Sequence, residues 1–274
     1  LNYSSATRTW TGPTYINEGV IQLTAANGIS DNSAMNISNG ATFNMAAGND
    51  TIGSIAGTGT IVMGNSTLTC GGNNSNTVFA GVMSGAGGVL TKTGSGTLTL
   101  SGTSTHGGNT TVSAGTLIQN GTNSSSAVTV SSGAFLYGGG QVADLNIFGC
   151  VSPGTASNTA GKLKAAAVTL PMSGKMQIDL SAMSGTAGVN WDLLEGSGNV
   201  TVGANSANRF TIALKGDPTG FSASEGWTNT IITGGSMSGF DATDFTITTT
   251  EFVPSLDGGT FSLYQDGSSI RLLF

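Results

Sequence analysis

The chain has 274 residues, 44 of them glycine, with 38% hydrophobic, 7% aromatic and 8% charged residues and a formal net charge of −6. Its 8 lysines and arginines are scattered, so the positive field that a phosphate backbone requires is missing and nucleic acid is excluded as a partner. The hydrophobic content excludes an unfolded polar polymer, the lack of a G-X-Y period excludes collagen, and no run of about 20 apolar residues is present to form a membrane-spanning helix.

The N-terminal Leu1-Asn2-Tyr3-Ser4-Ser5 segment reads as extended and carries no charged, hydrophobic leader, the expectation for a mature form if the chain is exported. From Thr11, TGPTYINEGVIQL reads as a strand, a turn at Gly19 and a second strand, and SAMNISNGATFNM from Ser33 repeats the pattern. Thr51 to Ile61 and Asn65 to Cys70 continue in short strands separated by Gly, Asn and Ser.

In GAGGVLTKTGSGTLTLSG, Gly85 to Gly102, strict alternation puts Leu98 and Leu100 on one strand face and Thr97 and Thr99 on the other. Strands this short bury little alone, so the pattern predicts many of them stacked into a continuous core. GGNTTVSAGTLIQ from Gly107, with a turn at Gly115, aligns with the segment from Thr11. SAVTVSSGAFLYG from Ser126 aligns with the segment from Ser33, pairing Met35 and Ile37 with Val128 and Val130. Two such matches at nearly constant offset predict an internal duplication.

Val142 to Cys150, Lys162 to Leu170 and Lys175 to Leu180 are further strands, and no stretch sustains a capped helical period. From Val189 the rhythm loosens. Trp191, Phe210, Phe221, Trp227, Phe240, Phe245, Phe252, Phe261 and Phe274 supply larger side chains there, as expected of a wider or capped section. The reading is therefore an all-β parallel β-helix, or solenoid, over residues 1–188, followed by a C-terminal β section over residues 189–274.

LTKTGSGTLTLSG followed by TTVSAGTL closely resembles the autotransporter-associated β-strand repeat, supported by SGAGGVL upstream and NTTVSAGTLIQNG downstream. Similar combinations extend from Thr11 to Gly121. AGKLKAAAVTLPMSGKMQIDL and NWDLLEGSGNVTVG look like the region that commonly follows such repeats. The resemblance implies an extracellular or cell-surface bacterial protein with a parallel β-helix, engaged in scaffold or adhesion work. An autotransporter also needs a membrane barrel with strands of about ten residues, and no segment here has that length or the aromatic girdles. The resemblance therefore implies a removed barrel or another export route. The ending GGTFSLYQDGSSIRLLF resembles the tail preceding a Pro-Glu-Pro sorting signal, and that signal is not in the chain.

The residues offer little reaction chemistry, and catalytic, cofactor and metal sites are all expected to be lacking. Asp179, Asp192 and Glu195 form the nearest approach to an acid cluster. Paired carboxylates can hydrolyse glycosides, which keeps a polysaccharide-active enzyme as an alternative, and the plainer reading is solvation of loops beside Trp191. Asp241 with Asp244, and Asp257 with Asp266, have the same standing. His106 lies in Ser104-Thr105-His106-Gly107-Gly108, which reads as a turn and not as part of a triad. Cys70 and Cys150 are read as buried or half-buried small apolar residues, with a disulfide as the alternative if their coils adjoin. Trp10, Tyr15 and Tyr137 could stack on sugars, with core or end packing the plainer reading of each; this makes a carbohydrate-binding adhesin the first alternative to the structural solenoid, ahead of the enzyme. Finally, a solenoid ends in unpaired N–H and C=O groups. The extended N-terminal segment and the apolar strand from Ser268 to Phe274 therefore predict head-to-tail self-association into filaments or matrix.

Overall fold

The computed structural model describes residues 2–3, 12–45, 48–154 and 159–274. Their backbone is an all-β parallel solenoid, and a single short 3-10 turn at Ala242–Asp244 is the only helical element among them. The chain divides into two compact units, Leu1–Phe135 with Gln141–Ala143, and Leu136–Gly140 with Asp144–Phe274. The change of sequence texture from Val189 falls inside the second unit.

In the first unit the coils contribute short strands to three faces. Thr14–Ile16, Ala34–Ile37, Ser54–Gly57, Thr77–Phe79, Thr97–Leu100 and Thr116–Gln119 follow one another along the first face. The second carries Asn2–Tyr3, Val20–Leu23, Thr42–Asn44, Thr60–Val62 and Val82–Ser84. The third carries Asp50–Ile52, Thr67–Cys70, Val89–Lys92, Thr110–Val112 and Val128–Val130. Hydrogen bonds between equivalent side chains and backbone join residues 18 to 22 positions apart, the length of one coil.

The alternation read from Thr97 to Leu100 is observed, with both leucines inside and both threonines outside. In-register pairing turns this alternation into inward columns. On the second face Ile21, Phe43, Ile61 and Met83 pair in sequence, all buried. Each such side chain contributes about 1.5–3 kcal/mol of burial.

Glycine makes the tight corners possible. Gly19 and Gly115 have φ of 69° and 64°, as their turn positions require. Gly81, Gly102 and Gly121 stack against the carbonyls of Gly59, Gly81 and Gly102 respectively, so closely that a Cβ would overlap the oxygen below.

The expected duplication takes another form. The segment from Thr11 supplies strands to the first and second faces, whereas its match from Gly107 supplies Thr110–Val112 to the third face and Thr116–Gln119 to the first. Likewise Met35 and Ile37 lie on the first face, and Val128 and Val130 on the third. The recurring letters mark one strand–turn–strand corner used at different corners of the coil.

The second unit has the same three kinds of face with larger coils. Strand partners on neighbouring coils there lie 23 to 38 residues apart. Cys150–Pro153, Lys175–Asp179, Phe210–Gly216 and Phe245–Phe252 run in order along one face. Leu145–Ile147, Val168–Leu170, Asn199–Val202 and Ser236–Ser238 form another. The remaining face holds Lys162–Ala165, Leu193–Gly196 and Thr228–Thr233, then closes with an antiparallel hairpin, Ser262–Asp266 and Ser269–Leu273. Phe221, Phe252, Phe261, Phe274 and Trp227 pack together, with ring centroids 4.9 to 6.3 Å apart.

One expected edge is therefore corrected. Ser269–Leu273 pairs with Thr228–Thr233 on one side and Ser262–Asp266 on the other, so the C-terminal strand is enclosed within its own sheet. Antiparallel return of the chain satisfies the backbone groups that the sequence left open. Of the N-terminal segment, residues 1, 4 and 5 lie outside the described residues, as does Trp10. Asn2–Tyr3 pairs in parallel with Val20–Leu23.

Candidate functional site

Asp179 ends the strand Lys175–Asp179 and Asp192 lies just before Leu193–Gly196. The backbone N–H of Asp179 donates to Oδ2 of Asp192 at 3.0 Å, and the N–H of Gly161 donates to Oδ1 at 2.8 Å. Ser152 Oγ lies 3.4 Å from Oδ2 of Asp179 and 3.5 Å from Oδ2 of Asp192, and Gln177 donates to Oδ1 of Asp179 at 3.2 Å. Both carboxyls are buried, at 2% and 0% exposure, which corrects the expectation that they solvate loops. Burial pushes the Asp192 carboxyl up to about 9, opposed by its backbone donors and reinforced by the neighbouring Asp179 charge. Asp192 is thus a neutral acid at pH 7.

Asp179 also faces an open cleft of about 480 Å³ whose lining includes Lys215, Asp217, Glu251 and Val253. The strand register places Asp179, Lys215 and Glu251 in one row across three neighbouring strands, and Lys215 pairs with Glu251 at 2.8 Å. Tyr137 belongs to the same unit. Its hydroxyl is held above the usual range by burial first, then by Cys150, Asp179 and Glu251. Glu195 does not join this group and forms an ion pair with Lys162 at 2.8 Å. Of the three acids singled out by sequence, two are brought together and the third is placed elsewhere. The partners Ser152, Lys215 and Glu251 were missed, because their register with Asp179 is visible only once coils are paired.

The other acids do local work. Asp241 caps the 3-10 turn by accepting from Thr243, Asp257 accepts from Ser255, and Asp266 pairs with Arg271 at 2.9 Å. Among the described residues, no three His, Cys, Asp or Glu side chains gather as a metal-ligand set.

The first unit carries polar groups inside its core. On its third face Leu68, Leu90, Thr110 and Val128 form an inward column, so Thr110 puts a hydroxyl among apolar side chains. That hydroxyl lies 3.0 Å from Nε2 of His106 and 2.8 Å from Oγ of Ser126, and Ser126 donates to the Gly108 carbonyl. Asn123 Nδ2 lies 3.0 Å from Nδ1 of His106. The histidine expected in a turn is therefore a buried ring, in a segment that replaces the second-face strand between Val82–Ser84 and Thr122–Asn123. Burial lowers its pKa to about 4, so it is neutral at physiological pH.

Lys92 interrupts another apolar column, Ile52, Cys70, Lys92 and Val112. Its ammonium donates to the carbonyls of Thr93, Gly94 and Ala114 at 2.7, 3.0 and 3.3 Å, replacing the water it has lost. Cys70 and Cys150 are buried free thiols, not a disulfide. Burial pushes the Cys70 thiol up to about 12. Asp50, also buried, accepts from the N–H groups of Ile29 and Thr51, and burial raises its pKa to about 6.

Tyr15 is 63% exposed on the strand Thr14–Ile16, whereas Tyr137 is half-buried. Among the described residues, no helix is long and apolar enough to cross a membrane.

Among curated proteins, none matches the chain. Residues 90–118, which include Leu90, the Thr97–Leu100 strand, His106 and Thr110, match the family model of the passenger-associated-transport-repeat. That segment matches the repeat its sequence words resemble.

Proposed function

We propose that the chain is a structural segment of a secreted or surface-exposed bacterial protein, a solenoid scaffold that holds an outward surface for contact. The observation that supports this most is the matched repeat itself, folded as coils whose apolar columns and backbone groups are satisfied by the coils before and after. A chain built this way gains stability by stacking and presents long rows of small polar side chains outward. Labelling intact cells of the source bacterium with antibody against residues 12–135 tests the location. Labelling before lysis supports the reading, and labelling only after lysis overturns it.

A second reading, a polysaccharide-directed cleft, is favoured by the buried Asp179 lining one cleft with Lys215 and Glu251. Binding or turnover on a polysaccharide panel, abolished by Asp179→Ala in a folded chain, would establish it. No binding by the unaltered chain would remove it. Filament growth has three terminal strands to use in the second unit, Phe245–Phe252, Ser262–Asp266 and Ser236–Ser238. The first carries Glu251 and a bulge against Ala213–Lys215, and the second carries Asp266, features that discourage edge pairing. Ser236–Ser238, with neither a charge nor a bulge, is the strand left for such growth.

A further inference from the structure

The third face of the first unit presents a regular outward lattice. Thr51, Thr69, Thr91, Thr111 and Thr129 are consecutive register partners, one from each strand, and all five are half-buried with their side chains outward. Thr67, Val89, Asn109 and Ala127 line one side of this column, and Thr93, Ser113 and Ser131 line the other. The second unit keeps similar chemistry independently, with Asn146, Thr169, Thr201 and Ser238 as consecutive partners on its corresponding face.

Three properties of the face define its partner. Its rows repeat at the strand spacing of about 4.8 Å, and positions along each strand repeat every second residue at about 6.7 Å. The β-branched threonine holds few rotamers, so hydroxyl and methyl recur in similar positions at each step. The face is also uncharged. The charged side chains among the described residues of this unit are Glu18, Asp31, Asp50 and Lys92; the last two are buried, and neither Glu18 nor Asp31 lies on this face. A charged surface would hold water in its own hydration geometry, whereas a neutral lattice of hydroxyls and methyls can accept water in an ordered one.

We propose that this threonine face binds ice, with its hydroxyls joining the oxygen lattice of the crystal and its methyls seated in the hollows between. Ice fits better than a second copy of the chain. Five strands by three side-chain positions cover only about 480 Å², below the ~800 Å² per partner of a stable protein interface. It also fits better than a glycan, because no aromatic side chain on the face offers the apolar stacking plane that sugars use. A crystal whose oxygens repeat at nearly the strand spacing can instead be engaged by all rows at once.

The test uses the full chain. Ice crystals grown in its presence are examined for faceting, thermal hysteresis and inhibition of recrystallisation, alongside Thr91→Tyr, Thr111→Tyr and the milder Thr111→Val. Thr99→Tyr is the control, because Thr99 points outward on the first face between Val78 and Ile118. Circular dichroism verifies folding of each variant. The expected result is shaped crystals and measurable hysteresis, reduced at least fivefold by either tyrosine on the third face and unchanged by Thr99→Tyr. Unshaped crystals with the unaltered chain overturn the proposal, even if the chain is retained on cellulose or chitin. Activity that survives both tyrosine substitutions also overturns it.

Discussion

The backbone N–H of Asp179 donates to the side chain of Asp192, so the second carboxyl fixes the strand end from which the first faces the cleft. Asp192→Ala removes the acceptor for two N–H groups, those of Gly161 and Asp179. The expected destabilisation of the second unit is about 3 kcal/mol, since each buried donor left unmade costs about 1–3 kcal/mol. Asp192→Asn retains one acceptor oxygen and is expected to cost about 1 kcal/mol. Urea denaturation at pH 7 checks both.

The same carboxyl sets a pH dependence. Its pKa is raised from 3.8 to about 9 on folding, so the folded state binds more protons throughout that interval. Its stabilising contribution is complete below pH 3.8 and is lost as pH rises toward 9, with a slope of at most about 1.4 kcal/mol per pH unit. Chemical denaturation from pH 5 to 9 should show this fall in the unaltered chain, and the difference from Asp192→Asn isolates it.

His106 gives the opposite sign in the first unit. Its pKa is lowered from 6.5 to about 4, so its contribution is intact above pH 6.5 and lost as pH falls toward 4, by up to about 3 kcal/mol. Asp50, raised to about 6, works the other way over an overlapping range, and His106→Gln compared with the unaltered chain separates the two. Imidazole nitrogen shifts should report a neutral ring at pH 5.5. A protonated ring at that pH would contradict the buried, charge-free network around Thr110, Ser126 and Asn123.

Gly81 is the clearest steric test of coil stacking. A methyl there meets the Gly59 carbonyl and the Phe79 ring. Gly81→Ala is expected to cost at least about 3 kcal/mol, the scale of overpacking combined with a broken close approach. Gly72→Ala, where the added methyl meets nothing within 4 Å, should stay within about 0.5 kcal/mol. Thermal melting of the pair provides the comparison.

Much of the fold was legible in the sequence because a solenoid strand states its inward face by simple alternation, as Thr97 to Leu100 does. Corner chemistry was legible for the same local reason, at Gly19 and Gly115. What could not be read was anything set by register between coils. Met35 and Val128 look equivalent in sequence and occupy different faces, because identical corner motifs serve different corners. Lys92 and His106 are polar in sequence, yet each takes an inward position and finds one partner on a neighbouring turn, Ala114 and Asn123 respectively. Asp179 and Asp192 were noticed as acids close in sequence. Their burial, the Ser152 hydroxyl beside both and the Lys215–Glu251 pair in the same cleft depend on strands brought together by stacking. The C-terminal strand reads as an open edge because its antiparallel return leaves no mark in its own sequence.

In-register stacking of the coils underlies every statement about the columns, the threonine face and the buried networks. It is tested most directly by spin labels at Thr51→Cys and Thr129→Cys, both outward on the third face and separated by four strand steps. The native thiols are buried and should stay unlabelled. Electron–electron dipolar spectroscopy should give a narrow distribution centred at about 19 Å between the backbone positions, four spacings of about 4.8 Å, widened by the label linkers. A broad distribution, or one centred beyond about 30 Å, would contradict the stacked register on which the account rests.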